Sequence, residues 1–191
     1  MYLFIKRVGD IVLSLVGIII LSPAFLLLAA FIKFDSAGPV IFCQKRIGKG
    51  KSHFMLYKFR TMRIDAPKAL PTHMLKSPEK YITKTGRFMR RTSLDELPQL
   101  LNILKGDMSI IGPRPALWNQ YDLVEERDKY GANDLPPGLT GWAQINGRDE
   151  LPIPEKARLD GIYVARIGFL FDCEIFFRTV MVAVSGKGYA A

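Results

Sequence analysis

The chain has 191 residues and a formal net charge of +9, with a pI near 9.6, which suits one domain plus an anchor with a basic surface. Its two cysteines, Cys43 and Cys173, and two histidines, His53 and His73, argue against a disulfide framework and a structural zinc site, so any metal is expected to be a hard cation on carboxylates. Such a surface suits anionic lipid, phosphorylated substrates or nucleic acid alike, but no RNA-binding aromatic signature, zinc-finger spacing or basic heptad pattern is present, which argues against nucleic acid.

The first element is the uncharged apolar run 11–32, long enough to cross a bilayer as one helix. Its midpoint carries Ser22 and Pro23. Lys6 and Arg7 precede it, but its length and the lack of an A-x-A pattern disfavour a cleaved signal peptide. A straight span and a re-entrant hairpin remain. Pro23 has no N–H for the Ile19 carbonyl, and the Ser22 hydroxyl can bond back to a carbonyl one turn earlier. An arm such as 11–21 would reach only ~16 Å, about half of the ~30 Å hydrocarbon core. Lys33, Lys45, Arg46, Lys49 and Lys51 follow the run, so both models leave the larger part of the chain in the cytoplasm. From the residues alone, hairpin and span are evenly matched.

Residues 39–42 and 54–59 read as short strands around the turn-rich "RIGKGKSH". That stretch lacks Walker spacing and reads as a basic hairpin tip rather than a phosphate loop. The proline-rich stretch 65–80 reads as a loop, and 85–91 as a short basic helix. "TSLDELPQLLNILKGD" predicts a helix in which Ser93 and Glu96 form a capping box, Leu97, Leu100, Leu101 and Leu104 an apolar face, and Gly106 the stop. Residues 118–130, 155–165 and 171–184 read as further helices, the last rich enough in aromatics to lie on the membrane or the core. A Pro- and Gly-rich loop precedes residue 155. No repeat or second globular domain is evident.

Asp95–Glu96 is the pair with the most chemistry. Acidic residues in a first helical turn are ordinary. Here, however, Arg87, Arg90 and Arg91 stand just before them and Arg114 soon after. A carboxylate among arginines can attack phosphorus, because cations and a divalent ion neutralise the phosphate it approaches.

"KFRTM" (58–62), "TSLDELPQLLNILKGDMSIIGPRP" (92–115), "PPGLTGWAQINGR" (136–148) and "DGIYVARIGFLFD" (160–172) follow in this order, with "SP" at 22–23. Together they resemble the bacterial monotopic phosphoglycosyl transferases, in the small catalytic-core form. The resemblance covers nearly the whole chain. It implies an α+β, mostly helical fold with short strands and amphipathic interfacial helices. A re-entrant membrane helix broken at Ser22 and Pro23 would occupy 1–34, and a cytosolic catalytic domain 35–191. It implies transfer of a sugar 1-phosphate from a UDP-sugar to a polyprenol phosphate such as undecaprenyl phosphate, with release of UMP. Asp95 would form a covalent phosphosugar, with Mg²⁺ nearby and Glu96 in an acid–base or metal role. Arg90 and Arg114 match phosphate-holding positions, and guanidinium suits them because its fork grips two oxygens. Lys58 and Arg60 are further phosphate candidates. Pro113 is expected, with Pro115, to fix the backbone of Arg114. Gln144, Asn146, Arg148 and Asp172 are candidates for the nucleotide site, with ordinary loop bonding as the alternative for the first three and an arginine partnership for Asp172. Trp142 is expected in the core. Anionic membrane lipids and downstream glycosyltransferases are the implied partners, at the cytoplasmic face of the bacterial inner membrane. A membrane-anchored binding or scaffold protein with a straight span, and a phosphohydrolase using Asp95 with water, are the readings from other classes.

Overall fold

In a computed structural model, which describes residues 1–66, 78–147 and 151–185, the apolar run becomes one helix, α1, from Tyr2 to Asp35. Its most apolar window has a mean hydropathy of 2.8, yet only 11% of that window is buried. A core helix of a soluble protein would be mostly buried, so this surface is suited to lipid. Pro23 lies inside the helix. The Ser22 hydroxyl donates to the Ile19 carbonyl at 2.8 Å, the acceptor that Pro23 leaves without an N–H.

One stripe of α1 is polar, because positions four apart share a helix face. Lys6 donates to Asp172 at 2.6 Å, with the Tyr2 hydroxyl donating to the same oxygen. Arg7 donates to the Leu104 carbonyl at 2.8 Å and also to that of Ile103. Asp10 accepts the Ile110 N–H at 3.0 Å. Asp10 and Ser14 are buried. Past the proline, Phe25 meets Phe59 edge-on at 5.4 Å. Leu28 and Ile32 join Phe59 and Met89 in one core cluster, and Asp35 accepts the Thr85 N–H at 2.7 Å. Both halves of α1 therefore lie against the rest of the chain. The opposite flank, including Phe4, Leu13, Ile20, Leu27 and Phe34, is exposed.

Strands β1 (Ile41–Ile47) and β2 (His53–Phe59) form an antiparallel hairpin with Ile41 opposite Phe59 and Ile47 opposite His53. The sequence suggested that β1 stops at residue 42. It continues through Gln44, Lys45 and Arg46 because each pairs across to β2, and a two-stranded ribbon tolerates polar residues on its open face. Gly50 (φ 61°) makes the tip. Helix α2 (Lys84–Thr92) is capped by Thr83, whose hydroxyl accepts the Gly86 N–H.

Helix α3 (Gln99–Lys105) packs on β2 through Ile103 against Leu56 and is tied to it by one polar side chain. Asn102, fully buried, accepts the Tyr57 N–H at 2.9 Å and donates to the Met55 carbonyl at 2.7 Å. After it come β3 (Ser109–Ile111), α4 (Tyr121–Asp128), β4 (Gly138–Thr140) and the short α5 (Trp142–Ile145). Helices α6 (Ile153–Arg166) and α7 (Phe169–Ser185) follow. The β3–β4 pair is parallel and was not predicted. It needs glycine: a Cβ on Gly138 would lie 2.1 Å from the Gly112 nitrogen. Tyr163, Phe171, Ile175 and Ile111 form a second core cluster, with Trp142 packed against it.

The fold is thus mostly helical with short strands, as expected. Helix α1 runs through Asp35, and its Leu28 and Ile32 share one core cluster with Phe59 and Met89. Replacing Asn102 by alanine would leave the Tyr57 N–H and the Met55 carbonyl, both part-buried, without these partners. We expect Asn102→Ala to cost about 2–4 kcal/mol, read as a clear fall in Tm in detergent.

Candidate active site

Helix α2 stops where Ser93 enters the left-handed region (φ 55°, ψ 16°) and its N–H bonds to the Arg90 and Met89 carbonyls. This corrects the expected capping box. An N-cap needs extended backbone, and Ser93 makes no side-chain cap hydrogen bond. Leu94–Glu96 instead form a single 3₁₀ turn, and α3 starts only at Gln99, after Pro98. Asp95 and Glu96 therefore sit on a tight reversal between two helices.

Cations reach them from separate elements. Lys58, near the end of β2, donates to Glu96 at 2.7 Å and stands 4.0 Å from Asp95. Arg114 lies 3.5 Å from Glu96. Arg90 acts on Asp95 through its charge and donates to the Thr61 hydroxyl at 2.9 Å. Asp95 is only 9% exposed. Burial pushes its carboxyl above the usual carboxylate range; Lys58 and Arg90 pull the other way, while the Glu96 charge adds to the rise.

The loop carrying Arg114 is held carbonyl by carbonyl. Pro113 accepts the Gly138 N–H at 2.8 Å, Arg114 accepts from Arg127 at 2.9 Å, and Pro115 accepts from Arg46 at 3.0 Å. Arg127 is itself buried against Asp160 at 2.6 Å. Proline rigidity was expected here. The Arg127–Asp160 support was not, since in the charged run "EERDKYG" an arginine looks like any solvated side chain.

Other candidates fall elsewhere. Arg60 is buried, and its guanidinium donates to the Ser36 and Ala37 carbonyls at 2.7 and 2.6 Å. It closes the C-terminal end of α1 rather than presenting itself to phosphate. Asp172 takes Lys6, Tyr2 and Tyr163 as donors, not an arginine, and ties α7 to α1 and α6. Gln144 is buried, with both amide atoms lacking a hydrogen-bond partner among the described residues. Asn146 donates to the Trp142 carbonyl at the end of α5. Trp142 packs on Phe171 at 4.9 Å, as expected of a core residue. Arg148 lies outside the described residues, as does most of the 65–80 loop.

The family model described as bacterial sugar transferase matches residues 1–186. The chain belongs to the bacterial sugar transferase family. This sugar transferase is 39% identical over 189 residues to the uncharacterized sugar transferase EpsL of Bacillus subtilis (strain 168), covering 97% of this chain and 90% of that one. It is 40% identical over 191 residues to the UDP-glucose:undecaprenyl-phosphate glucose-1-phosphate transferase of Escherichia coli (strain K12), covering 96% of this chain and 41% of that one. A third relative is the UDP-N-acetylgalactosamine-undecaprenyl-phosphate N-acetylgalactosaminephosphotransferase of Aeromonas hydrophila. It is 35% identical over 199 residues, with 98% of this chain and 45% of that one covered. The chain spans less than half the length of the last two.

Among the described residues of this sugar transferase, no three His, Cys, Asp or Glu side chains converge as a metal cage. Asp95 and Glu96 offer two adjacent carboxylates. That donor set fits Mg²⁺, which is usually bound by one or two carboxylates together with substrate phosphates.

The raised Asp95 carboxyl has a thermodynamic consequence. Between the ordinary aspartate pKa and its raised value, the folded state binds more protons than the unfolded one, so stability falls as pH rises through that window. Above it the full penalty of the buried charge is present. Asp95→Asn should therefore raise Tm at neutral pH, and the gain should shrink as pH is lowered through the window; a Tm unchanged or lowered at neutral pH would contradict this.

Proposed function

We propose that this chain is a phosphoglycosyl transferase that moves a sugar 1-phosphate from a UDP-sugar to a polyprenol phosphate by way of an aspartyl phosphosugar on Asp95. The observation that carries the proposal is a nearly buried carboxylate with Lys58 at 4.0 Å and the charge of Arg90 beside it. The relatives' names supply the reactants: both named transferases act between a UDP-sugar and undecaprenyl phosphate, with different sugars.

In the first half-reaction an Asp95 oxygen attacks the sugar-bearing phosphorus. The bond from that phosphorus to the bridging oxygen breaks and UMP leaves with the electron pair. In the second, a phosphate oxygen of the polyprenol phosphate attacks the same phosphorus and the Asp95 carboxylate is restored. A desolvated carboxylate is reactive because water no longer stabilises its charge, and the surrounding cations make its approach to an anion possible. Arg114, at 35% side-chain exposure against 18% for Lys58 and Glu96, is the most open of the three towards substrate. Glu96 holds Lys58 and Arg114 beside Asp95. Mg²⁺, held by Asp95 and Glu96 with the diphosphate, would supply further charge neutralisation.

The same reading extends to the membrane. Lys6, Arg7 and Asp10 all bond to the catalytic part of the chain. A straight crossing would carry those partners into hydrocarbon, where each unsatisfied polar group costs several kcal/mol. A re-entrant α1 on the cytoplasmic face avoids this and leaves the site open to a cytosolic nucleotide sugar. Exposed Lys33, Arg87 and Arg91 suit anionic headgroups.

Three results test the proposal. Incubation with the correct UDP-sugar and Mg²⁺ should add the sugar-phosphate mass to Asp95. Asp95→Asn should lower UMP release by roughly a thousandfold or more while the protein stays folded. In the wild-type chain, UMP release beyond one equivalent should require added polyprenol phosphate. Rapid turnover with no adduct, or a fully active Asp95→Asn, would refute the nucleophile. Separately, a cysteine at the exposed Leu3 should resist impermeant thiol reagents in intact cells; ready labelling from outside would mean a straight span.

A further inference from the structure

Of the three arginines on α2, Arg87 and Arg91 are exposed and Arg90 is half-buried. The Arg90 Nε–H donates to the Thr61 hydroxyl at 2.9 Å. Thr61 is itself buried and tightly held. Its carbonyl accepts the Thr83 N–H at 3.1 Å, and the Tyr81 carbonyl accepts the Arg63 N–H at 2.9 Å. Between these bonds Met62 bridges Ile82 in antiparallel fashion. Gly86, in the first turn of α2, presses on the same residue: a Cβ there would lie 2.0 Å from the Thr61 oxygen, so glycine alone permits the approach. Gly86 and Arg90 are four positions apart and share one helix face. The residue seated against the first is thereby brought to the second, and its hydroxyl reaches Nε.

The chemistry of that contact suits aiming rather than pairing. A guanidinium is planar, so a fixed partner on Nε restricts the last side-chain torsions and sets where the terminal nitrogens point. A carboxylate at residue 61 would aim the group too, but would also offset its charge. A hydroxyl accepts the hydrogen bond and leaves the positive charge for Asp95 to feel. Threonine is stiff at χ1, so the well-held backbone at Thr61 also defines the direction of its hydroxyl.

We infer that Thr61 is a positioning residue, whose hydroxyl sets the direction from which Arg90 meets the phosphoryl group as Asp95 attacks it. This rests on the aspartyl phosphosugar reaction proposed above. Thr61 acts through Arg90 and not on the substrate. Loss of its hydroxyl slows formation of the phosphosugar more than it weakens donor binding. The diphosphate still meets the same cations, but one of them is poorly aligned in the transition state.

The test uses the full chain in nanodiscs, with UDP-sugar and Mg²⁺, and follows the phosphosugar mass on Asp95 in a single turnover. Thr61→Val keeps the branched shape and removes the acceptor. It should slow loading about tenfold to a hundredfold, the scale of an ångström-sized misplacement, while the half-saturating donor concentration stays within about twofold of wild type. Thr61→Ser keeps the hydroxyl and should restore loading to within about threefold. Should Thr61→Val not fold, Thr61→Ala is compared with Thr61→Ser in the same way. In an Arg90→Lys background, which has no Nε–H, removing the hydroxyl should cost less than about twofold, whereas a role confined to packing would cost the same in both backgrounds. Independently of turnover, the Arg90 Nε–H resonance, assigned by its absence from Arg90→Lys, should exchange slowly with water in the wild type and Thr61→Ser and rapidly in Thr61→Val. Wild-type loading in Thr61→Val, equal losses in both backgrounds, a loss that serine does not rescue, or a change confined to donor affinity would overturn the positioning role. A wild-type chain whose Nε–H resonance depends on Thr61 but whose Asp95 never loads would instead refute the reaction, so the two failures are distinguishable.

Discussion

The arrangement depends on taking one carboxylate out of water without clamping it. Desolvation of Asp95 is unfavourable, and a tight ion pair would be the ordinary remedy. Such a pair would also lower its pKa and occupy the oxygen that the proposed attack uses. The structure divides these demands between neighbours. Glu96 takes the short contact with Lys58 at 2.7 Å, and Asp95 feels the same ammonium from 4.0 Å. The cation is held in place, yet the buried oxygen is not bound to it. Burial keeps the upper hand over Lys58 and Arg90, as the direction of the Asp95 shift records.

Holding three cations around that turn falls to buried polar ties rather than to helix packing. Arg114 sits on a loop, where a backbone fluctuation of an ångström would remove it from the site. Fixing carbonyls 113, 114 and 115 by three separate donors removes that freedom. The Arg127–Asp160 pair behind Arg114 contributes little net stability against an apolar replacement, since burying both charges offsets their attraction. It defines one geometry for the Arg114 carbonyl. Asn102 does the same for the strand that carries Lys58, bonding the backbone at Met55 and Tyr57.

Much of this was legible in the sequence where one signal had one reading. The helical character of the apolar run, the basic hairpin tip, α6, α7 and a back-bond from the Ser22 hydroxyl follow from local pattern, although the run itself left hairpin and span open. The failures occur where one signal permits two outcomes. Ser93 satisfies the rule for starting a helix, but in αL it ends the preceding one. The parallel β3–β4 pair has three residues per strand, too short for a period to register, and is marked only by glycines whose role needs the partner strand. Charge type did not reveal charge partner. Arg60 stands between site-like neighbours in "KFRTM" yet closes α1, and Asp172 chose a lysine and two tyrosines. Arg127 and Asp160 lie 33 positions apart, and nothing local announces that they meet.

Helix α1 joins the lipid-facing surface to the chemistry. Its mean hydropathy treats all sides alike and so conceals that Lys6, Asp10 and Ser14 form one polar stripe against the chain. Beyond Pro23 the contacts become more direct. Phe25 packs on Phe59, the neighbour of Lys58, and Leu28 and Ile32 pack in the cluster that includes Leu94, the neighbour of Asp95. On the proposed topology, the depth at which α1 settles in the bilayer is therefore transmitted, through two side-chain layers, to the ammonium and the carboxylate of the site. A lipid phosphate sits at a fixed depth below the cytosol. An enzyme that must meet it there gains from making its membrane helix part of the same core as the carboxylate proposed to be its nucleophile, rather than a tether attached by a linker.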